Sequence, residues 1–286
     1  MADHDVKLLS NTYGKSRVRL TKVARHPDGR HDLKELSVEI LLTGDFAQTY
    51  ITGDNTGIVA TDSMKNTVYV LAKKHPIDSI ESFGAALAAH FVQTYPQVSG
   101  ATVSIEQSLW HRIDHNGGPH PHAFVAGGNE LRTCAIVNVR GGAISYHAGI
   151  RDLLVLKTTN SAFKGYVRDA YTTLPETEDR IFATSVKADW DYVDGSGDWN
   201  ERFDTMRSAM LDVFAEHMSY SVQQTLYEMG KAALARCPAA KRIRIEMPNQ
   251  HRIPFNFAPF GLKFENDIFV PTDEPHGTIV GEIGRE

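Results

Sequence analysis

Two residues in one stretch carry the plainest chemical suggestion in this chain. Between Thr159 and Phe182, Phe163 sits in a polar turn, and Arg180 stands at the mouth of a segment that then alternates apolar and polar residues. A guanidinium is a rigid planar fork of donors suited to a planar anion. A phenyl face can stack on a conjugated ring. Together they suggest a site for a flat, acidic heterocycle. The competing reading is structural: Phe163 fills a satellite cluster and Arg180 pairs with Asp179 or Glu178.

Other residues invite chemistry less directly. Lys15, beside Gly14, is either a solvated strand lysine or a base, since a desolvated lysine becomes neutral at workable pH. His111, His115, His120 and His122 flank one hairpin. His120 and His122 share a strand face, so two or three of these rings could meet a metal. No His-Glu-x-x-His helix and no neighbouring cysteine supports that, and polar hairpin residues are the simpler reading. The chain has no Gly-x-Ser-x-Gly elbow, no Gly-x-Gly-x-x-Gly turn and no P-loop, so no recognisable device for a cofactor or a hydrolytic triad.

The elements that must position these residues follow from periodicity. Lys7 to Leu20 reads as a strand broken by Gly14, and Leu36 to Leu42 as a second. A polar loop over 55–61 leads into a helix with Met64, Val68, Leu71 and Ala72 on one face, capped by Thr61 or Asp62. A second helix carries Ile80, Phe83, Leu87 and Phe91, with Asp78 and Glu81 as its capping pair. The period then changes to two. Strands around Asn116-Gly117 form a hairpin, a Gly-Gly turn follows at 127–128, and strands over Leu131–Arg140 and Ile144–Lys157 complete an antiparallel meander. The second half repeats the plan: a strand from Ile181 to Tyr192, a helix from Trp199 to His217, and a helix capped by Ser221 with Gln224. A strand from Arg242 to Met247 follows, with further strand at Ile253–Phe257 and Lys263–Phe269. No linker rich in Pro, Gly or Ser separates the halves.

Length and composition set the class. The 286 residues, 42% hydrophobic and 23% charged, are those of a soluble globular chain with a sizeable core. A net charge of −5 offers no broad basic field for nucleic acid. No apolar run is long enough to span a bilayer. Two cysteines, Cys134 and Cys237, suit a reducing compartment better than a disulfide framework. The chain ends in Gly-Arg-Glu instead of a Ser-Lys-Leu type of peroxisomal address, which leads us to expect a bacterial, cytoplasmic protein.

Several motifs in order resemble the urate oxidase (uricase) family. They are YGKSRVR at Tyr13–Arg19, ATDSMKNTVY at Ala60–Tyr69, PHPHAF at Pro119–Phe124, LKTTNSAFKGYVRDAYTTLPETEDRI at Leu156–Ile181, SVQ at Ser221–Gln223 and PNQH at Pro248–His251. The resemblance implies an α+β fold of two tandem T-fold modules, antiparallel sheets with helices packed on one face, here divided at 1–128 and 129–286. It implies a homotetramer whose sheets close into a barrel around a tunnel, with active sites shared between subunits. It implies conversion of urate, dioxygen and water to 5-hydroxyisourate and hydrogen peroxide with no cofactor and no metal. By the resemblance, Phe163 stacks on the purine, and Arg180 pairs with its acidic edge. Gln223 clamps that edge beside the Val222 backbone N–H, and Leu174 gives a backbone contact. Lys15, Thr61 and His251 form the proton relay, and Asn249 with Thr61 holds dioxygen and then water above the ring. Asp62 contacts substrate through its backbone. Thr61 and Asp62 come from the neighbouring subunit, so that Lys15 and Thr61 meet between chains. Lys164 and Pro175 depart from the family pattern beside site positions. The enzyme alternative is a T-fold relative acting on pterins with a histidine-bound metal; the non-enzyme alternative is a purine-binding module without turnover.

Overall fold

The computed structural model describes residues 6–285. They form two compact units, one running to Ala148 and including Tyr192–Trp199, the other made of Gly149–Asp191 and the chain from Asn200 onward.

The first unit holds strands β1 (Tyr13–Arg25), β2 (His31–Gly44), β3 (Val98–His115) and β4 (Gly118–Val139), hydrogen-bonded antiparallel in that order. Between β2 and β3 the chain makes a short helix α1 (Ala47–Ile51), then α2 (Thr61–Lys74) and α3 (Ile80–Thr94). Alternate strand residues turn one face toward these helices. Val38, Ile40 and Leu42 from β2, Val103 and Ile105 from β3, and Ile136 from β4 are buried with Met64, Val68, Phe83, Leu87 and Phe91. Each such side chain contributes about 1.5–3 kcal/mol by leaving water. Close approach is built in: a Cβ on Gly84 would lie 2.8 Å from Ile136 Cγ1.

Helix α2 runs alongside β1 in the same direction. The Tyr13 hydroxyl donates to Val59 O (3.1 Å) and accepts from Val59 N (2.8 Å). Farther along, the Tyr69 hydroxyl donates to Arg19 O (3.1 Å), and Lys22 Nζ donates to Ala72 O (2.8 Å). Position 15 of β1 therefore falls opposite the start of α2.

The second unit holds most of β5 (Ser145–Lys157) and β6 (Phe182–Tyr192), with helices α4 (Trp199–Glu216) and α5 (Val222–Arg236) and strands β7 (Ala240–Glu246) and β10 (Val280–Gly284). Its main sheet runs β5-β6-β7-β10, and β8 (His251–Pro254) pairs separately with β9 (Phe269–Thr272). The even residues of β6 face α4: the Phe182 and Phe214 ring centroids lie 5.2 Å apart, those of Trp190 and Phe203 6.2 Å.

The structure corrects several local expectations. The N-cap of α2 is Ala60, with no side-chain cap, so neither Thr61 nor Asp62 caps it. The N-cap of α3 is Ser79, whose hydroxyl accepts from Ser82 N, while Glu81 turns inward to Arg132 (2.8 Å). Gly127-Gly128 makes no turn: β4 continues through it, and the ladder to β3 shifts register between Ser108 and Trp110. β4 thus spans residues 128/129, where the sequence divides the modules, whereas the compact units divide at Ala148/Gly149. The last region is shorter in strand than expected, with a 3-10 turn at Ala258–Phe260 and a final strand, β10, that the periodicity does not announce. Among the described residues no helix is long and apolar enough to cross a membrane.

Candidate active site

The second unit gathers most of the candidate residues through two long-range pairings. Ser161 bridges Ser219, with Ala162 N donating to Ser219 O (2.8 Å) and Ser219 N to Asn160 O (2.9 Å). This sets the Phe163 turn beside the entry to α5. There Ser221 is the N-cap, its side chain accepting from Gln224 N. Val222 and Gln223 are therefore the first two helical residues, whose N–H groups have no partner within the helix. Val222 is buried; Gln223 is exposed and leaves its carboxamide available.

In the second pairing, Thr184 of β6 bridges Asn249, and Gln250 N donates to Ala183 O (2.9 Å). The Pro248–His251 segment is thereby placed four residues beyond Arg180. Asn249 Nδ2 lies 3.4 Å from His251 Nδ1.

Arg180 does not form the ion pair that the structural reading expects. Neither sequence neighbour is its partner: Glu178 binds Lys164 Nζ at 2.7 and 2.9 Å, and Asp179 accepts from the Thr159 hydroxyl at 2.9 Å. Arg180 has its Nε buried without a partner, and its Cζ sits 5.1 Å from the centre of the Phe163 ring. Burial lowers the guanidinium's pKa from its ordinary value, but an arginine stays charged. This half-buried guanidinium, with no acidic partner among the described residues, leaves its fork of donors free for an anion.

Tyr166, which the sequence does not single out, stacks on Phe163 with ring centroids 4.9 Å apart and planes 15° apart. Its hydroxyl donates to Leu174 O, so the carbonyl of Leu174 is already engaged and its side chain is exposed. An aromatic three residues after Phe163 in a polar turn was the available signal. Lys164 and Glu178 tie the rim of the same loop.

Lys15, Thr61 and Asp62 belong to the first unit. Lys15 is half-buried and stands where β1 bulges. A Cβ on the neighbouring Gly14 would lie 1.7 Å from Ile40 O, so only glycine permits that approach to β2. Asp62 bonds Lys65 and, at 3.1 Å, Asn66 Nδ2. Its carboxyl is held below the usual range chiefly by Lys65, with Asn66 and Lys15 adding. The charge of Lys15 thus reaches the Asp62 carboxyl from within the same chain.

The histidines come together only in part. His120 lies 4.5 Å from His122 and 5.9 Å from His115, and His31 lies 5.7 Å from His122, centre to centre. Among the described residues no group of three or more His, Cys, Asp or Glu side chains could hold a metal ion.

Comparison with known proteins supplies the family. The uricase family profile matches residues 11–137 and 146–280. The uricase of Dictyostelium discoideum is 39% identical over 280 residues, spanning 97% of each chain. This chain belongs to the uricase family. The uricase of Oryctolagus cuniculus is 37% identical over 291 residues, covering 99% of this chain and 96% of that one. A crystal structure of the uricase from Arthrobacter globiformis matches with a TM-score of 0.93 at 40% identity, covering 99% of this chain and 96% of that chain. The fold is the tandem T-fold of uricases, and nothing in these likenesses favours a metal-dependent pterin enzyme.

Proposed function

We propose that this chain is a urate oxidase that takes urate, dioxygen and water to 5-hydroxyisourate and hydrogen peroxide without a cofactor. Its membership of the uricase family supports oxidation of urate. The observation that carries the site assignment is Arg180, a half-buried cation with no acidic partner among the described residues, over the Phe163 ring.

Urate is planar and anionic at neutral pH. Arg180 offers its acidic edge two parallel N–H donors, an arrangement roughly twice as strong as neutral hydrogen bonds. The Gln223 carboxamide and the Val222 N–H, at an open helix start, complete the donor set. Phe163 stacks on the purine with Tyr166 behind it, and the Leu174 segment borders the ring. Holding the substrate in this way supplies the orientation, and the electrons come from urate itself. Lys15, Thr61 and His251 move protons, Asn249 and Thr61 hold dioxygen and then water, and the Asp62 backbone contacts substrate.

Lys15, Thr61 and Asp62 fall on one compact unit, and Phe163, Arg180, Gln223, Asn249 and His251 on the other. The uricase resemblance, in which Thr61 and Asp62 come from the neighbouring subunit, supports sites shared between subunits of a homotetramer. In such an assembly one chain lends Lys15, Thr61 and Asp62 together, and its neighbour lends the rest. Two buried free thiols, Cys134 and Cys237, support a reducing compartment such as the cytoplasm.

The test is urate absorbance in aerated buffer with oxygen and peroxide followed together. Equimolar loss of urate and dioxygen with equimolar peroxide is expected. Tight urate binding with no loss of absorbance would make the chain a purine-binding module instead.

A further inference from the structure

The mechanism above leaves a buried polar group on the strand that follows Arg180 unused. Thr184, on β6 four residues after Arg180, is fully buried, and its hydroxyl has no hydrogen-bond partner. A buried hydroxyl without a partner costs about 1–3 kcal/mol.

Its position narrows what it can serve. Thr184 and Asn249 are bridge partners in an antiparallel pairing, and the hydrogen bond beside them runs from Gln250 N to Ala183 O. Thr184 and Asn249 are therefore a non-hydrogen-bonded pair. In such pairs the two side chains rise from the same face and stand closest together. The Asn249 carboxamide thus rises beside the Thr184 side chain on the same face. At its far end that carboxamide lies 3.4 Å from His251 Nδ1.

A carboxamide has one accepting and one donating end, and a neutral imidazole has one protonated nitrogen. Which end of Asn249 faces His251 therefore fixes which ring nitrogen carries the hydrogen. A hydroxyl donor on the other side selects one arrangement: Asn249 Oδ1 toward Thr184, and Nδ2 toward His251 Nδ1. The imidazole is then left with its hydrogen on Nε2.

We propose that Thr184 is a positioning residue, whose hydroxyl turns onto Asn249 Oδ1 in the loaded site and so sets the His251 tautomer used in proton transfer. The inference rests on the urate oxidation proposed above. It places Thr184 behind the oxygen and proton machinery and away from the groups that hold the purine. Its removal should therefore slow the chemical step and spare substrate binding.

The experiment compares Thr184→Val, which keeps the shape and deletes the hydroxyl, with Thr184→Ser, which keeps the hydroxyl. Thr184→Val is expected to lower kcat about tenfold, the effect of one lost hydrogen bond, with the urate KM within about twofold of wild type. Thr184→Ser should retain wild-type kcat within about twofold. In an Asn249→Ala background, Thr184→Val should have no further effect on kcat, because the group it acts through is gone. A folded Thr184→Val with unchanged kcat and a raised Tm would overturn the inference and leave an orphan hydroxyl only. A loss that Ser does not rescue, or one that persists in full in the Asn249→Ala background, would assign the effect to packing and overturn it as well. Wild-type protein that leaves urate intact overturns both readings; turnover in wild type with an indifferent Thr184→Val overturns this one alone.

Discussion

Arg180 lies over Phe163, 5.1 Å from guanidinium carbon to ring centre, and the carboxylates on either side of the loop are committed elsewhere. The cation is therefore held by its surroundings without being neutralised by them. A substrate can supply the missing charge, and removing the guanidinium should cost the fold little.

The first prediction follows. Arg180→Lys keeps the charge and loses the planar fork. Steady-state kinetics should show the urate KM raised about 10- to 100-fold, the range for losing a charge-assisted pair. Thermal melting should stay close to that of wild type. A lowered Tm with unchanged KM would place Arg180 in a structural role.

The division of residues between units gives the second prediction. Lys15 and Thr61 lie on the same unit, Arg180 on the other. Lys15→Met and Arg180→Gln, each inactive alone, should regain activity when mixed after reversible dissociation. In an equal mixture one in four of the possible pairings joins an intact first unit to an intact second unit. Lys15→Met mixed with Thr61→Ala should stay inactive, since no pairing unites intact partners. Activity in the second mixture and none in the first would break the assignment of shared sites.

How much of this was legible in the sequence differs by kind of contact. The helices of the first unit were, because Met64, Val68, Phe83, Leu87 and Phe91 repeat at helical spacing and all prove buried. So was the two-residue turn at Asn116-Gly117, where both residues take positive φ (51° and 83°). The chemical character of Phe163 and Arg180 could be read from residue type alone. Their convergence with Gln223 and Asn249 could not, because it depends on the Ser161–Ser219 and Thr184–Asn249 bridges, which no local pattern encodes. The capping expectation for α3 failed for a similar reason. Glu81 has the right offset for a capping box, but Arg132, from a strand far away in sequence, draws its carboxylate into the core. Gly127-Gly128 looks like a turn until a continuing partner strand absorbs it as a bulge.

A third prediction concerns acid stability. Asp32 is held below the usual carboxylate range by a hydrogen bond from His26, with Arg30 and Arg112 adding, and Arg112 also donates to Asp32 Oδ1 at 2.8 Å. A depressed carboxyl stabilises the fold above its unfolded pKa, about 3.9. That contribution is lost as pH falls through the folded value. Asp32→Asn should lower Tm at pH 7, and the gap from wild type should close as pH drops below about 4. A gap that is constant or widens on acidification would contradict this.

The histidine hairpin gives a fourth. Its rings contact one another edge to face, and Arg112 binds the carbonyls of His120 (3.1 Å) and Pro121 (2.7 Å), which explains the segment structurally. Exhaustive chelation should leave urate turnover intact. Activity lost to chelator and restored by zinc or copper would make the reaction metal-dependent.

The most direct test separates holding from chemistry by measuring urate affinity without dioxygen, when bound substrate cannot turn over. Anaerobic titration of wild type, Lys15→Met and Arg180→Gln should give Lys15→Met a Kd within about threefold of wild type, and Arg180→Gln a Kd raised about 100-fold, as expected for a lost charge-assisted bidentate pair. Undiminished binding by Arg180→Gln, or binding lost in Lys15→Met, would contradict the account in which Arg180 grips urate and Lys15 moves its protons.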